Sequence, residues 1–271
     1  MRQPVEQAIS AMRDRYFDPI TLQDLAAEVF VSPFHFSRVF AKSTGVTPGR
    51  YLTAIRLFEA KRLLVTSSMT VSDIVCSVGY SSVGTFTTRF TKAMGMTPSQ
   101  YRDPRVRELM LAWAPDFQRF PELGGYVGDR PDVGTGSAAA SSITGTVEVP
   151  PAIAPASVLV GVFADPIPQC GPVACAVLPS TGSSRVTIPN VPIGRWRVLA
   201  VAQPADGAQP LHLHAVREPV TVSPGRVANV QLRLRPVTPT DPPVAITLAT
   251  PSSLRGEGGY DGAPAFRRAA A

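Results

Sequence analysis

Apolar positions recur at helical spacing twice in the first hundred residues. Leu22, Leu25, Ala26 and Val29 fall at i, i+3, i+4 and i+7, and Val71, Ile74, Val75 and Val78 repeat the stripe. Each stripe opens on the same device, Thr21 with Asp24 and Thr70 with Asp73. The threonine can accept from a backbone N–H and the aspartate can return the bond, which is a capping box. A second helix is predicted after each stripe. Ser32 precedes Pro33, an N-cap followed by proline at the first helical position, and Ser82 is the matching cap. Phe36 and Phe40 sit four apart and should point inward, as should Phe86 and Phe90. The copies are 49 residues apart at Thr21 and Thr70 but 50 apart at Ser32 and Ser82, so the second turn carries one extra residue.

The inward phenylalanines fix the outward side. Phe34, Ser37 and Arg38 then occupy the outward N-terminal half of one second helix, and Val83, Gly84, Thr87 and Thr88 that of the other. Two short helices joined by a tight turn, the second exposing its N-terminal residues, are the pattern that reads base edges in the major groove. Arg38 can donate twice to guanine O6 and N7, and Thr87 or Thr88 can meet a thymine methyl or a phosphate. The first unit is expected to supply most base discrimination. Phosphate contacts fall to Ser32, Lys42, Arg50, Ser82, Arg89 and Lys92. His35 reads as a structural histidine rather than a base reader. Between the units, Pro48–Thr66 is one helix by pattern, about 28 Å long. One turn of duplex is about 34 Å, so a stiff connector of that length can hold both second helices on one face of DNA. Its Arg50, Arg56, Lys61 and Arg62 read equally as a solvated helix face or a phosphate clamp.

The pattern changes near Asp103. Residues 104–141 read as a linker with a short helix at Arg105–Trp113 and glycines toward its end. From 142 to 236 the period switches to two. Ile143–Val149, Val158–Phe163, Arg185–Ile188, Arg195–Val201, Leu211–Val216, Val220–Val222 and Val227–Leu234 read as strands punctuated by Pro, Gly and Asn. Short strands at that spacing predict a β-sandwich. Residues 237–271 read as a Pro-, Gly- and Ala-rich tail, mostly disordered, with Val244–Leu248 as a last strand. The fold class is therefore multidomain α plus β.

The net charge of +6 favours a polyanionic partner, and much of the excess lies before residue 110. Three cysteines, Cys76, Cys170 and Cys175, are too few and scattered for a secreted disulfide framework. No signal peptide or membrane-length apolar run is visible, so a cytoplasmic place and no membrane partner are expected. P-loop, dinucleotide-binding, serine-hydrolase and zincin motifs are absent, so no enzyme and no cofactor are expected. One further constellation has metal-ligand chemistry: Cys170 and Cys175 with His212 and His214 would suit zinc. It gives the alternative of a metal- or redox-sensing regulator. The other alternative is a non-DNA interaction protein built on a decayed helix-turn-helix domain.

Gly79-Tyr80-Ser81-Ser82-Val83-Gly84-Thr85-Phe86-Thr87-Thr88-Arg89-Phe90-Thr91-Lys92, followed by Gly95-Met96-Thr97-Pro98-Ser99-Gln100-Tyr101-Arg102, resembles the signature of the AraC/XylS family of transcription regulators. The resemblance covers about residues 5–103. It implies an all-α, homeodomain-like double helix-turn-helix domain over 1–103, with two recognition helices in adjacent major grooves and base contacts near Phe34, Ser37, Arg38, Val83, Gly84, Thr87 and Thr88. Double-stranded DNA and RNA polymerase are the implied partners, with activation the family's usual direction. Phe30 departs from the pattern, standing in the first turn where a small residue is common. A repair methyltransferase fused to such a domain is an enzyme alternative, but no histidine lies near Cys170 or Cys175 in sequence. Ile143-Thr144-Gly145-Thr146-Val147 and Ile188–Val198 resemble a carboxypeptidase-regulatory-like, prealbumin-type sandwich. That module would act as a sensor for a small-molecule effector, a homodimerisation module or a contact surface, and the sequence leaves these open.

Overall fold

The computed structural model of the chain describes residues 2–114, 116–123, 141–207, 211–216, 218–250 and 254. Two compact units result. One joins Met1–Arg119 to Thr238–Arg255, and the other is built from Phe120–Val237.

The first unit is helical, in the order α1 (Arg2–Asp14), α2 (Leu22–Glu28), α3 (Pro33–Thr44), α4 (Pro48–Thr66), α5 (Val71–Ser77), α6 (Val83–Met94), α7 (Pro98–Tyr101) and α8 (Pro104–Glu108). The predicted caps form. Thr21 accepts from the Asp24 amide and the Asp24 carboxylate accepts in return, while Ser32, Thr70 and Ser82 each accept from the amide three residues on. Helix α3 and helix α6 both end on a left-handed glycine, Gly45 and Gly95. The α4 helix is buried on nearly all sides and is the unit's axis. The same aromatic trio recurs in each half of the unit. Phe36, Phe40 and Tyr51 stack with centroids 5.5 and 5.4 Å apart, and Phe86, Phe90 and Tyr101 repeat this at 5.4 and 5.5 Å.

The expected helix at Arg105–Trp113 is only half helical. It stops at Glu108, and Met110–Trp113 is a strand, β1, buried at every position. Four consecutive apolar residues with no polar break suit a strand covered on both faces better than a surface helix. β1 pairs antiparallel with β2 (Gln118–Arg119) on one side and with Val244–Thr247, the last strand among the described residues (β12), on the other. Residues 104–119 and 238–249, placed by the sequence reading in a linker and a tail, are thus in part a small sheet on the helices. Met110, Ala112, Ala245 and Ala249 enter the same core as Phe86, Phe90 and Tyr101. Residues 124–140 and 255–271 lie outside the described residues.

The described residues of the second unit form one 3-10 turn, Pro151–Ile153, and the strands β3 (Ser142–Glu148), β4 (Ala156–Phe163), β5 (Ala174–Ser180), β6 (Ser183–Ile188), β7 (Gly194–Pro204), β8 (His212–Ala215), β9 (Val220–Val222), β10 (Val227–Arg233) and β11 (Arg235–Pro236). One sheet runs β10-β3-β6, and the other β11-β8-β7-β4-β5 with β9 on β7. Inward residues of both sheets, among them Ile143, Val147, Val160, Ala200 and Leu232, share one apolar core. The seven strands expected here are present, with ends shifted by a few residues. β5 is additional. Its residues are half-buried along most of the strand, so no alternation marks it, and Pro179 fits its edge position.

Candidate nucleic-acid interface

The N-terminal halves of α3 and α6 carry the predicted reading residues. Burial of Phe36 and Phe40 turns Phe34 and Arg38 into solvent and leaves Ser37 half-covered. Phe34 is 80% exposed. Burial of Phe86 and Phe90 does the same for Val83, Gly84 and Thr88, with Thr87 half-covered. Thr88 donates its hydroxyl to the Gly84 carbonyl, 3.0 Å away. Lys42, Arg50, Arg89 and Lys92 are exposed, and Ser32 and Ser82 sit at the two helix N-termini. The amides at such a terminus, with the helix dipole, favour a phosphate there.

Each turn before a reading helix has one geometry. The Phe30 amide donates to Ala27 and the Val31 amide to Ala26; the Gly79 and Tyr80 amides do likewise to Cys76 and Val75. This crossed pair needs a left-handed residue just past the helix end. It is Phe30 at φ 55° in one unit and Gly79 at φ 78° in the other. Phe30 is 95% exposed, so its side chain escapes into water. Gly79 has no such room: a Cβ there would lie 2.7 Å from the Phe17 carbonyl oxygen.

Three of the α4 cations are tied to partners within the unit. Arg56 donates to the carbonyls of Tyr16 and Asp18, each at 2.7 Å, and so ties α4 to the α1–α2 turn. Lys61 is fully buried and donates to the Ala245 carbonyl at 2.8 Å. Arg62 pairs with Glu59. Burial pushes the Glu59 carboxyl above the ordinary range despite that arginine. Only Arg50 of the four remains on an exposed surface. Hydrogen bonds from Thr21 hold the Asp24 carboxyl below the usual range, as a working cap requires.

The four-residue zinc constellation is not assembled. Cys175 stands on β5 and His212 and His214 on β8, with β4 and β7 between them. Three strand spacings are about 14 Å. No group of three or more His, Cys, Asp or Glu among the described residues is placed to hold a metal ion. Among those residues, too, no helix is long and apolar enough to cross a membrane.

Sequence reasoning missed Lys61 and Arg56 as structural ties, because a lone cation on a helix carries no sign of burial. It also missed the partner of β12, although the apolar run itself was visible.

Residues 25–104 match a family described as a helix-turn-helix domain. The lactose operon transcription activator of Staphylococcus xylosus is 33% identical over 102 residues, which are 38% of this chain and 37% of that protein. A bifunctional transcriptional activator and DNA repair enzyme of Bacillus subtilis, AdaA, is 33% identical over 87 residues, 32% of this chain and 41% of that protein. The crystal structure of a transcriptional regulator with an AraC-type DNA-binding domain, from Chromobacterium violaceum, is 28% identical, with a TM-score of 0.35, covering 37% of this chain and 90% of that one. The chain thus spans well under half the length of these two curated relatives. Residues 25–104 of this chain are a helix-turn-helix domain.

Proposed function

We propose that this chain is a sequence-specific DNA-binding transcription regulator that sets α3 and α6 into two successive major grooves. The observation that carries the reading is the duplication. Two helix pairs with the same caps, turns and aromatic trios expose corresponding faces, on a connector of the right length. Base contacts come from Phe34, Ser37, Arg38, Val83, Gly84, Thr87 and Thr88. Phosphate contacts come from Lys42, Arg50, Arg89, Lys92 and the capped termini at Ser32 and Ser82. Arg38 gives the first unit the sharper preference, since α6 offers no arginine or amide in its outward N-terminal half.

The strand-rich unit is read as a prealbumin-type sandwich with an accessory, non-enzymatic role, as effector sensor or homodimer contact. Support comes from the shared core of its two sheets. RNA polymerase is the expected partner at a promoter, and the cytoplasm the expected place. Selection of bound sites from a random DNA pool, followed by footprinting, tests the proposal. Two protected major grooves about one turn apart are expected. Protection of a single groove, or no DNA retained at low salt, would end it.

A further inference from the structure

A chain that leaves the helical unit at Arg119 returns to it at Thr238. What it does on return is specific. Tyr51, whose ring packs 5.4 Å from Phe40 in the first helix-turn-helix, donates its hydroxyl to the carbonyls of Pro239 and Asp241 at 3.2 and 2.9 Å. Arg13 of α1 donates to the Pro239 carbonyl as well, at 3.2 Å. Further on, Lys61 donates to Ala245, and Ala245 and Ala249 enter the core of the second helix-turn-helix.

The geometry of the strand explains the buried lysine. The Leu248 amide donates to the Leu109 carbonyl, so antiparallel alternation makes Leu111–Ile246 a hydrogen-bonded pair and Ala112–Ala245 a non-bonded one. The Ala245 carbonyl therefore points away from β1, off the edge of the sheet. Unpaired in the interior it would be costly, and Lys61 supplies the donor. Tyr51 and Lys61 are ten residues apart on α4, about 15 Å along its axis. The segment turns at Thr238–Asp241, where the Asp241 amide donates to the Thr238 carbonyl, and the stretch from Asp241 to Ala245 at about 3.3 Å per residue covers about 13 Å. The returning segment thus runs beside α4, fastened to Tyr51 where that ring packs on the first helix-turn-helix and to Lys61 where Ala245 and Ala249 enter the core of the second.

We infer that Thr238–Ala249 is a splint that fixes the spacing and phase of the two recognition helices, with Tyr51 and Lys61 as its positioning residues. The inference rests on the DNA-binding reading above. It makes the reading unit discontinuous: a segment that follows the strand-rich unit in sequence completes it.

The test uses the full-length chain and a site selected from random DNA. Affinity is measured for that site and for the same site with one base pair inserted between the half-sites. The wild-type chain should lose about tenfold on insertion, a penalty on the scale of a mismatch. Ile246→Pro removes an amide that the β1–β12 ladder uses and should cut that penalty to about threefold or less. Tyr51→Phe keeps the ring and loses only the carbonyl bonds. It should reduce the penalty less, and it carries the test if Ile246→Pro does not fold. A lowered Tm with the full wild-type insertion penalty kept in Tyr51→Phe, and in Ile246→Pro where that folds, overturns the splint. Failure of the wild-type chain to retain any DNA at low salt would overturn the DNA-binding reading instead.

Discussion

Phe30 and Gly79 hold the same left-handed position in the two repeats, and only one of them has space for a side chain. The left-handed region costs a non-glycine residue roughly 1–2 kcal/mol. Glycine gives back about 0.5–1 kcal/mol through the greater freedom of its unfolded chain. Phe30 gains almost nothing from burial, at 95% exposed, so packing does not enter the balance. Phe30→Gly should therefore stabilise the fold by about 0.5–1 kcal/mol. Gly79→Ala meets both the strain and the Phe17 carbonyl and should cost at least about 2 kcal/mol. Urea unfolding of the two variants measures this. A less stable Phe30→Gly would show that the phenylalanine ring has a partner.

Tyr51 and Tyr101 are a second unequal pair. Both are buried at the same place in their repeats. The Tyr51 hydroxyl finds the carbonyls of Pro239 and Asp241, whereas the Tyr101 hydroxyl has no hydrogen-bond partner among the described residues. Burying an unpaired hydroxyl costs about 1–3 kcal/mol. Tyr101→Phe should thus raise stability by about 1 kcal/mol, and Tyr51→Phe should lower it by a similar amount. Opposite shifts in Tm are expected, and a loss in both would mean Tyr101 is satisfied.

Alkaline titration separates the same groups. Burial pushes the Tyr51 phenol from 10.0 up to about 12, and pushes Tyr101 up as well. The folded state then holds protons that the unfolded state releases, so stability is intact below pH 10 and falls as pH rises toward 12. Tyr51→Phe should flatten that fall, as followed by unfolding midpoints across the window.

The parts read correctly from sequence are those fixed by neighbours close in the chain. Pro48–Thr66 was legible because a proline can open a helix and no proline or glycine interrupts the run after Gly49. The outward side of α3 was legible because Phe36 and Phe40 set its phase. The errors came from distant partners. Met110–Trp113 looked helical until β12 supplied its ladder from more than 130 residues away. Lys61 read as a solvated or phosphate-facing cation because its acceptor, Ala245, lies on that same strand. The zinc grouping failed because spacing along a chain does not reveal strand order.

Glu59 should report the dryness of the α4 core through pH. Its carboxyl is raised chiefly by burial, with the Arg62 bond at 2.8 Å opposing. A raised carboxyl favours the protonated fold, so its penalty is absent at acid pH and grows as pH rises through the folded value. Glu59→Gln should be more stable than the wild-type chain at neutral pH, by a margin that closes on acidification through the carboxylate range. An equal Tm difference at all pH values would show that burial does not perturb the group.

Arg38 and Lys42 separate specificity from attraction. Both are exposed on α3, one turn apart, and both are positive. Arg38 lies in the N-terminal half that reaches base edges, where a bidentate guanidinium discriminates by about 1–3 kcal/mol. Lys42 lies in the last turn, where a flexible ammonium meets phosphate and carries no sequence information. Arg38→Ala should weaken binding to the selected site by about 1–3 kcal/mol, relax the preference at one base pair and leave random DNA little affected. Lys42→Ala should weaken both DNAs alike and lower the slope of log affinity against log salt by about one unit. Salt titrations on the selected site and on random duplex distinguish the two. An Arg38→Ala chain that loses equally on both would move that arginine onto the phosphates and leave base reading to Phe34 and Ser37.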